Sequence, residues 1–171
     1  MIAFLDVQYF DEQSTARAAI VLAEQWSDGT AGWMNVVDVA DVAPYQPGEF
    51  FRRELPCLQK ALASAPEKPS TIVIDGYVWL DYAGRPGLGA KLFQTLGETT
   101  SVIGVAKTRF HDAPGIDVYR NRSSTPLIVT AAGCNELDAA EQVRTMHGSF
   151  RIPTLLKLVD QLARGSVGNE M

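Results

Sequence analysis

A chain of 171 residues, 46% hydrophobic and 20% charged, can bury one sizeable core and is read as a single domain over residues 1–171. Its formal net charge of −5 argues against a protein that coats nucleic acid nonspecifically, though not against an enzyme that touches a few phosphates and brings its own divalent metal. No apolar run reaches bilayer-spanning length, and the opening MIAFLDVQYF lacks the basic region and cleavage site of a signal peptide. Cys57 and Cys134 make neither a disulfide framework nor a zinc pair. A soluble cytoplasmic protein with no membrane partner is expected. Its oligomeric state is not legible.

Ile2 to Val7 reads as a short buried strand. ARAAIVLAEQW (16–26) and AGWMNVVDV (31–39) read as two more, joined by the turn SDGT, although the Ala-rich first segment also suits a helix. VAPYQPGE is a loop. A helix follows, with Leu55, Leu58 and Leu62 on one face and Pro56 expected in its first turn, until APEKPS stops it. TIVID is a strand. GLGAKLFQTLG spaces Leu88, Leu92 and Leu96 one turn apart, a helix ended by Gly97. SVIGVAK is a strand, HDAPGIDVYRNRSSTP a polar loop or loose hairpin, and LIVTAAG a strand. Leu137, Ala140, Val143 and Met146 mark a third helix, and Leu155, Leu158, Val159 and Leu162 a fourth. The tail GSVGNEM is expected to fray. Three strands followed by alternating strands and helices predict an α/β domain. Its mixed sheet should be antiparallel at one edge and parallel through the middle. A doubly wound nucleotide binder would want glycines after the first strand, and DVQYFDEQ has none.

Asp6 and Asp75 each follow directly on an apolar run, and both are expected at strand ends. Such aspartates often serve only as turn formers or helix caps. On neighbouring strands, however, the two would converge where α/β sheets bind ligands. Two buried carboxylates side by side repel, and a divalent cation removes that penalty. Oxygen-only ligands suit Mg2+ or Mn2+. A third acid is needed. Glu54, near the start of the first helix, also suits the helix dipole there, and Glu49, Asp11, Glu12 and Asp81 are rivals. Lys107, just after VIGVA, is another strand-end charge.

The ordered segments resemble the endonuclease V family. DVQY is similar to its first motif, with Asp6 as a metal ligand. PYQPGEFFRRELPCLQKAL is similar to the second: Pro44, Tyr45, Pro47 and Gly48 match the wedge loop, and Arg53 and Glu54 its Arg-Glu pair. IDGYVWL and GRPGLGAKL resemble the third motif, carrying Asp75, Gly76, Arg85, Gly87 and Leu88, and VIGVAKTRF the fourth, with Lys107. STPLIVTAAG and FRIPTLLKLVDQLAR resemble the closing strand and helix. The resemblance implies a ribonuclease-H-like fold and a Mg2+-dependent (or Mn2+-dependent) endonuclease. Its partner would be DNA or RNA containing inosine, as in nucleic acid repair. Asp6, Glu54 and Asp75 would hold the metal, a hydroxide would attack phosphorus in line to leave a 3′-hydroxyl, and Lys107 would offset charge on the phosphate. Tyr45 would fill the gap left by a flipped base. Pro47, Gly48, Gly76, Arg85, Gly87 and Leu88 would bind the substrate, with the backbone amides of Gly48, Gly76 and Gly87 approaching the base in a tight pocket.

The chain departs from the family in three places. Tyr77 follows Asp75-Gly76 where histidine or asparagine is usual, Asp81 or Tyr82 replaces a second histidine, and Cys134 stands for a third. Met1 is read as already standing on the first strand, without the family's helical lead-in. The alternative reading is therefore a weak or inactive relative that binds nucleic acid or a partner protein on the same scaffold. Cys134 is read as a small buried residue, and Trp26, Trp33 and Trp79 as packing. Arg85, Arg109, Arg120 and Arg122 are read as candidate phosphate contacts or solvated loop residues.

Overall fold

The computed structural model describes residues 1–167. Strands β1 (Ile2–Phe10), β2 (Thr15–Ala23) and β3 (Trp33–Val39) form an antiparallel meander. Helix α1 (Phe50–Ala63) leads to β4 (Thr71–Asp75), and α2 (Leu88–Thr95) to β5 (Ser101–Ala106). A short β6 (Ile116–Val118) and β7 (Leu127–Ala132) follow, and then α3 (Glu136–Thr145) and α4 (Thr154–Arg164). The strand order is β3-β2-β1-β4-β5-β7-β6, a mixed seven-stranded sheet with helices on both faces and the ribonuclease-H-like arrangement.

Alternation along β1 builds two cores. Ile2 and Phe4 enter the layer shared with Leu155 and Val159 of α4 and Val143 of α3. Ala3 and Leu5 enter the layer shared with Cys57 and Leu58 of α1 and Leu92 of α2. The central strands are therefore apolar at almost every position, as strands covered on both faces must be.

Five expectations are corrected. The sheet is antiparallel at both edges, because the chain between β5 and β7 returns as a loop carrying β6 rather than through a crossover helix. Asp6 does not end β1. The parallel ladder with β4 stops at Leu5–Ile74, but the β1–β2 hairpin continues to Phe10–Thr15. Pro56 lies in the second turn of α1, since that helix begins at Phe50. Leu137 is exposed, because α3 buries its Ala139, Ala140 and Val143 face instead. Cys134 is exposed rather than buried. The three tryptophans pack as expected, Trp26 edge-on to Phe4 and Trp79 donating its indole N–H to Ala131 O at 3.0 Å. Of the tail expected to fray, Gly165 closes α4 in the left-handed conformation, and residues 168–171 lie outside the described part.

Candidate active site

Four acidic side chains gather where the β1–β4 ladder opens. Asp75 is the last residue of β4, and Asp6 follows the last rung of its neighbour. Both point to the α4 side of the sheet, where they line a small space of about 20 Å³ with Lys107 and Asp160. That is room for one water-sized occupant. Glu54 approaches from α1. It lies in the second turn and is buried, so the helix dipole does not explain it.

Electrostatics ties these acids together. Burial, then repulsion from Asp75, pushes the Asp6 carboxyl up to about 7, and Asp160 comes close enough to hydrogen-bond it and raise it further. Burial, then Asp6 and Asp75, pushes Glu54 up to about 8, while Arg53 pulls the other way. Glu54 Oε2, Tyr9 Oη and Arg53 Nε are buried without a hydrogen-bond partner among the described residues. Arg53 itself is held by Asp11 and lies 3.8 Å above the Tyr9 ring.

The described residues contain no set of three or more acids, histidines or cysteines already drawn together at ligating spacing. Three of the four acids have another engagement. Asp75 Oδ2 is 3.2 Å from Lys107 Nζ, Asp6 Oδ1 accepts the Val7 N–H at 2.9 Å, and Asp160 accepts from Arg164 at 2.9 Å. The Asp75–Lys107 pair is about 40% exposed at both ends and is correspondingly weak. An all-oxygen donor set with mutual repulsion and an orphaned carboxylate oxygen has the chemistry of a site for a hard divalent cation.

Beside the acids lies a cleft of about 750 Å³. Tyr45, Gly48, Gly76, Arg85, Gly87 and Leu88 line it together with Asp75, and Pro47 does not. Tyr45 is 60% exposed, edge-on to Phe50 at 6.3 Å. The chain can turn sharply after Asp75 because Gly76 takes φ 130°, and it lies close over β5 because Gly104 has no Cβ, which would stand 2.5 Å from Gly76 O. The expected approach of glycine amides to a base is altered at two positions. The Gly76 N–H donates to Val105 O and that of Gly87 to Val78 O.

Sequence reasoning missed Asp160, Tyr9 and the role of Arg120. Asp160 stands one residue after buried Val159 and four after Leu156, a place where an acid on an apolar helix face is itself a signal. Tyr9 was inside the quoted DVQY stretch. Arg120 is no phosphate contact. It is 2% exposed and its guanidinium donates to the carbonyls of Val143, Arg144, Met146, Gly148, Phe150 and Arg151.

The Endonuclease V of Streptomyces coelicolor is 38% identical over 152 residues, covering 84% of this chain and 58% of that protein. That of Streptomyces avermitilis is 36% identical over 148 residues, 84% of this chain and 59% of the other. The chain thus spans under two thirds of the length of these relatives. The crystal structure of the Streptomyces avermitilis protein superposes with a TM-score of 0.76 at 27% identity, over 97% of this chain and 80% of that one. The fold is shared with Ciona intestinalis Endonuclease V in complex with a 24mer DNA containing an inosine followed by a ribo-adenosine, at TM-score 0.80, 21% identity and coverage of 97% and 85%. The family model for Endonuclease V matches residues 1–152, from β1 through the loop before α4, and the chain belongs to the endonuclease V family.

Proposed function

We propose that this chain is a divalent-metal-dependent endonuclease that hydrolyses a phosphodiester bond near inosine in DNA or RNA. The observation that carries the reading is the buried, unpartnered Glu54 Oε2, on a carboxyl that burial and the charges of Asp6 and Asp75 push up together. Removing water from the Asp6 and Glu54 carboxylates beside a third is costly unless a cation compensates. Asp6, Glu54 and Asp75 would hold Mg2+ or Mn2+, and Asp160 completes the donor set from α4. When bound, such an ion lowers the pKa of the attacking water and polarises the phosphate.

The chain's own groups do the rest. The raised Asp6 carboxyl holds its proton more tightly beside Asp160, which lets that pair stay close before the substrate arrives. Lys107 exchanges its weak, half-exposed contact with Asp75 for a phosphate oxygen and offsets the charge that develops there. The cleft takes the flipped base beside Gly76, and Tyr45, exposed on its proline-flanked loop, fills the vacated stack. Arg85 and Lys91 bring positive charge to the cleft wall.

The test is nicking of labelled single and double strands carrying one inosine, in Mg2+ and then in Mn2+. Metal-dependent nicking that falls at least 100-fold in Asp75→Ala, on the order expected for a metal ligand, supports the reading. Binding without nicking in either metal identifies the chain as a non-cleaving relative instead.

A further inference from the structure

We propose that Tyr77 is a positioning residue for Lys107, gripping the backbone that follows the lysine while Arg151 grips the lysine's own carbonyl. The inference rests on the nuclease reading above, in which the Lys107 ammonium acts at the phosphate.

A lysine is a point charge on a flexible four-carbon stem, so its placement depends on how firmly its backbone is held. Lys107 has little help from its side chain, since among the described residues its Nζ bonds only to the half-exposed Asp75 carboxylate, at 3.2 Å. It also stands just past the end of β5, where ladder hydrogen bonds cease. Two side chains replace that ladder. The Tyr77 hydroxyl donates to Thr108 O at 2.9 Å and accepts the Phe110 N–H at 3.0 Å. The Arg151 guanidinium donates to Lys107 O, and also to Thr125 O and Pro126 O at 3.0 and 2.9 Å. The consecutive carbonyls of Lys107 and Thr108 are thus fixed by side chains from two different segments.

Tyr77 is suited to this. A phenol is both donor and acceptor, so one oxygen closes both bonds. The residue is buried, and its own carbonyl accepts the Gly89 N–H at 3.1 Å, which anchors it to the start of α2. It follows Asp75 by two residues. The phenol therefore joins the strand end that carries the acid to the strand end that carries the lysine. It also orients the 107–110 segment, whose Arg109 and Phe110 wall the cleft. Phenylalanine at this position would keep the ring and lose both bonds.

Single-turnover nicking of an inosine-containing strand is measured for wild type, Tyr77→Phe, Lys107→Ala and the double variant, with amide hydrogen exchange at Phe110 in parallel. Tyr77→Phe is expected to slow nicking on the order of 10- to 100-fold through misplacement of the charge, with the half-saturating DNA concentration unchanged. The double variant is expected to be no slower than Lys107→Ala alone. Wild-type nicking by Tyr77→Phe, or losses that multiply in the double variant, would overturn the proposal. If the wild type nicks nothing, the nuclease reading falls and the exchange arm decides. Protection of the Phe110 amide that disappears in Tyr77→Phe supports the grip, and equal exchange in the two proteins refutes it.

Discussion

Asp6 and Glu54 hold protons at pH values where free carboxyls have lost them. Their folded values, about 7 and about 8, lie above their ordinary values of 3.8 and 4.5. Folding therefore takes up protons between about pH 4 and pH 8, and stability without divalent metal must fall as pH rises through that window. A melt in EDTA should show Tm several degrees lower at pH 8 than at pH 5, on the order of 5 °C for a chain of this size. Mg2+ or Mn2+ should raise Tm more at pH 8 than at pH 5, because the carboxylates must be ionised to bind it. Equal metal effects at both pH values would count against the proposed ligands. Of these acids, Asp6 and Asp75 were legible because each interrupts an apolar run. Glu54 was named from the Arg-Glu pair, since a place near the start of a helix did not set it apart from Glu49, Asp11, Glu12 and Asp81. Asp160 was legible only as an acid interrupting the apolar face of α4, four residues after Leu156, and only the three-dimensional meeting of α4 with β1 brings it to Asp6.

Helix α1 shows what happens when one element must serve both packing and chemistry. Leu58 and Cys57 bind it to the sheet, yet the same stretch carries buried Arg53 and Glu54 and an internal proline. Pro56 removes the N–H that would bond to Arg52 O and so weakens the turn holding Glu54. Pro56→Ala should stabilise the fold by roughly 1–3 kcal/mol, the usual cost of an interior proline, read by urea unfolding. No gain would mean that the helix is bent to suit its proline. The spacing of Leu55, Leu58 and Leu62 was enough to reveal this helix. Its start was not, because Phe50 to Arg53 lack a capping side chain. The extension of β1 past Asp6 was likewise hidden, since Gln8 and Tyr9 are kept in the strand by β2 rather than by their own propensity. Strand β6 was lost for a similar reason, three residues in a polar loop that become a strand only by pairing with β7.

At the scale of the whole molecule, an acidic protein presents a mixed end to its surroundings. Negative charge is concentrated at Asp6, Glu54, Asp75 and Asp160, and Arg85, Lys91, Lys107 and Arg109 flank the cleft beside them. Few phosphates can be neutralised by so few cations. The logarithm of affinity for an inosine-containing duplex should fall with the logarithm of salt at a slope of roughly −2 to −4, measured at fixed Mg2+ concentration. A slope near zero would place the nucleic acid elsewhere on the surface. Arg120 has a different consequence, in time rather than space. Its six carbonyl acceptors all lie between Val143 and Arg151, more than twenty residues downstream. While the chain is still emerging from the ribosome, that guanidinium has none of them and must stay hydrated. The β6 edge can therefore close only after the segment leading into α4 has been made, which leaves the nascent protein open to proteases along that edge until residue 151 has been added.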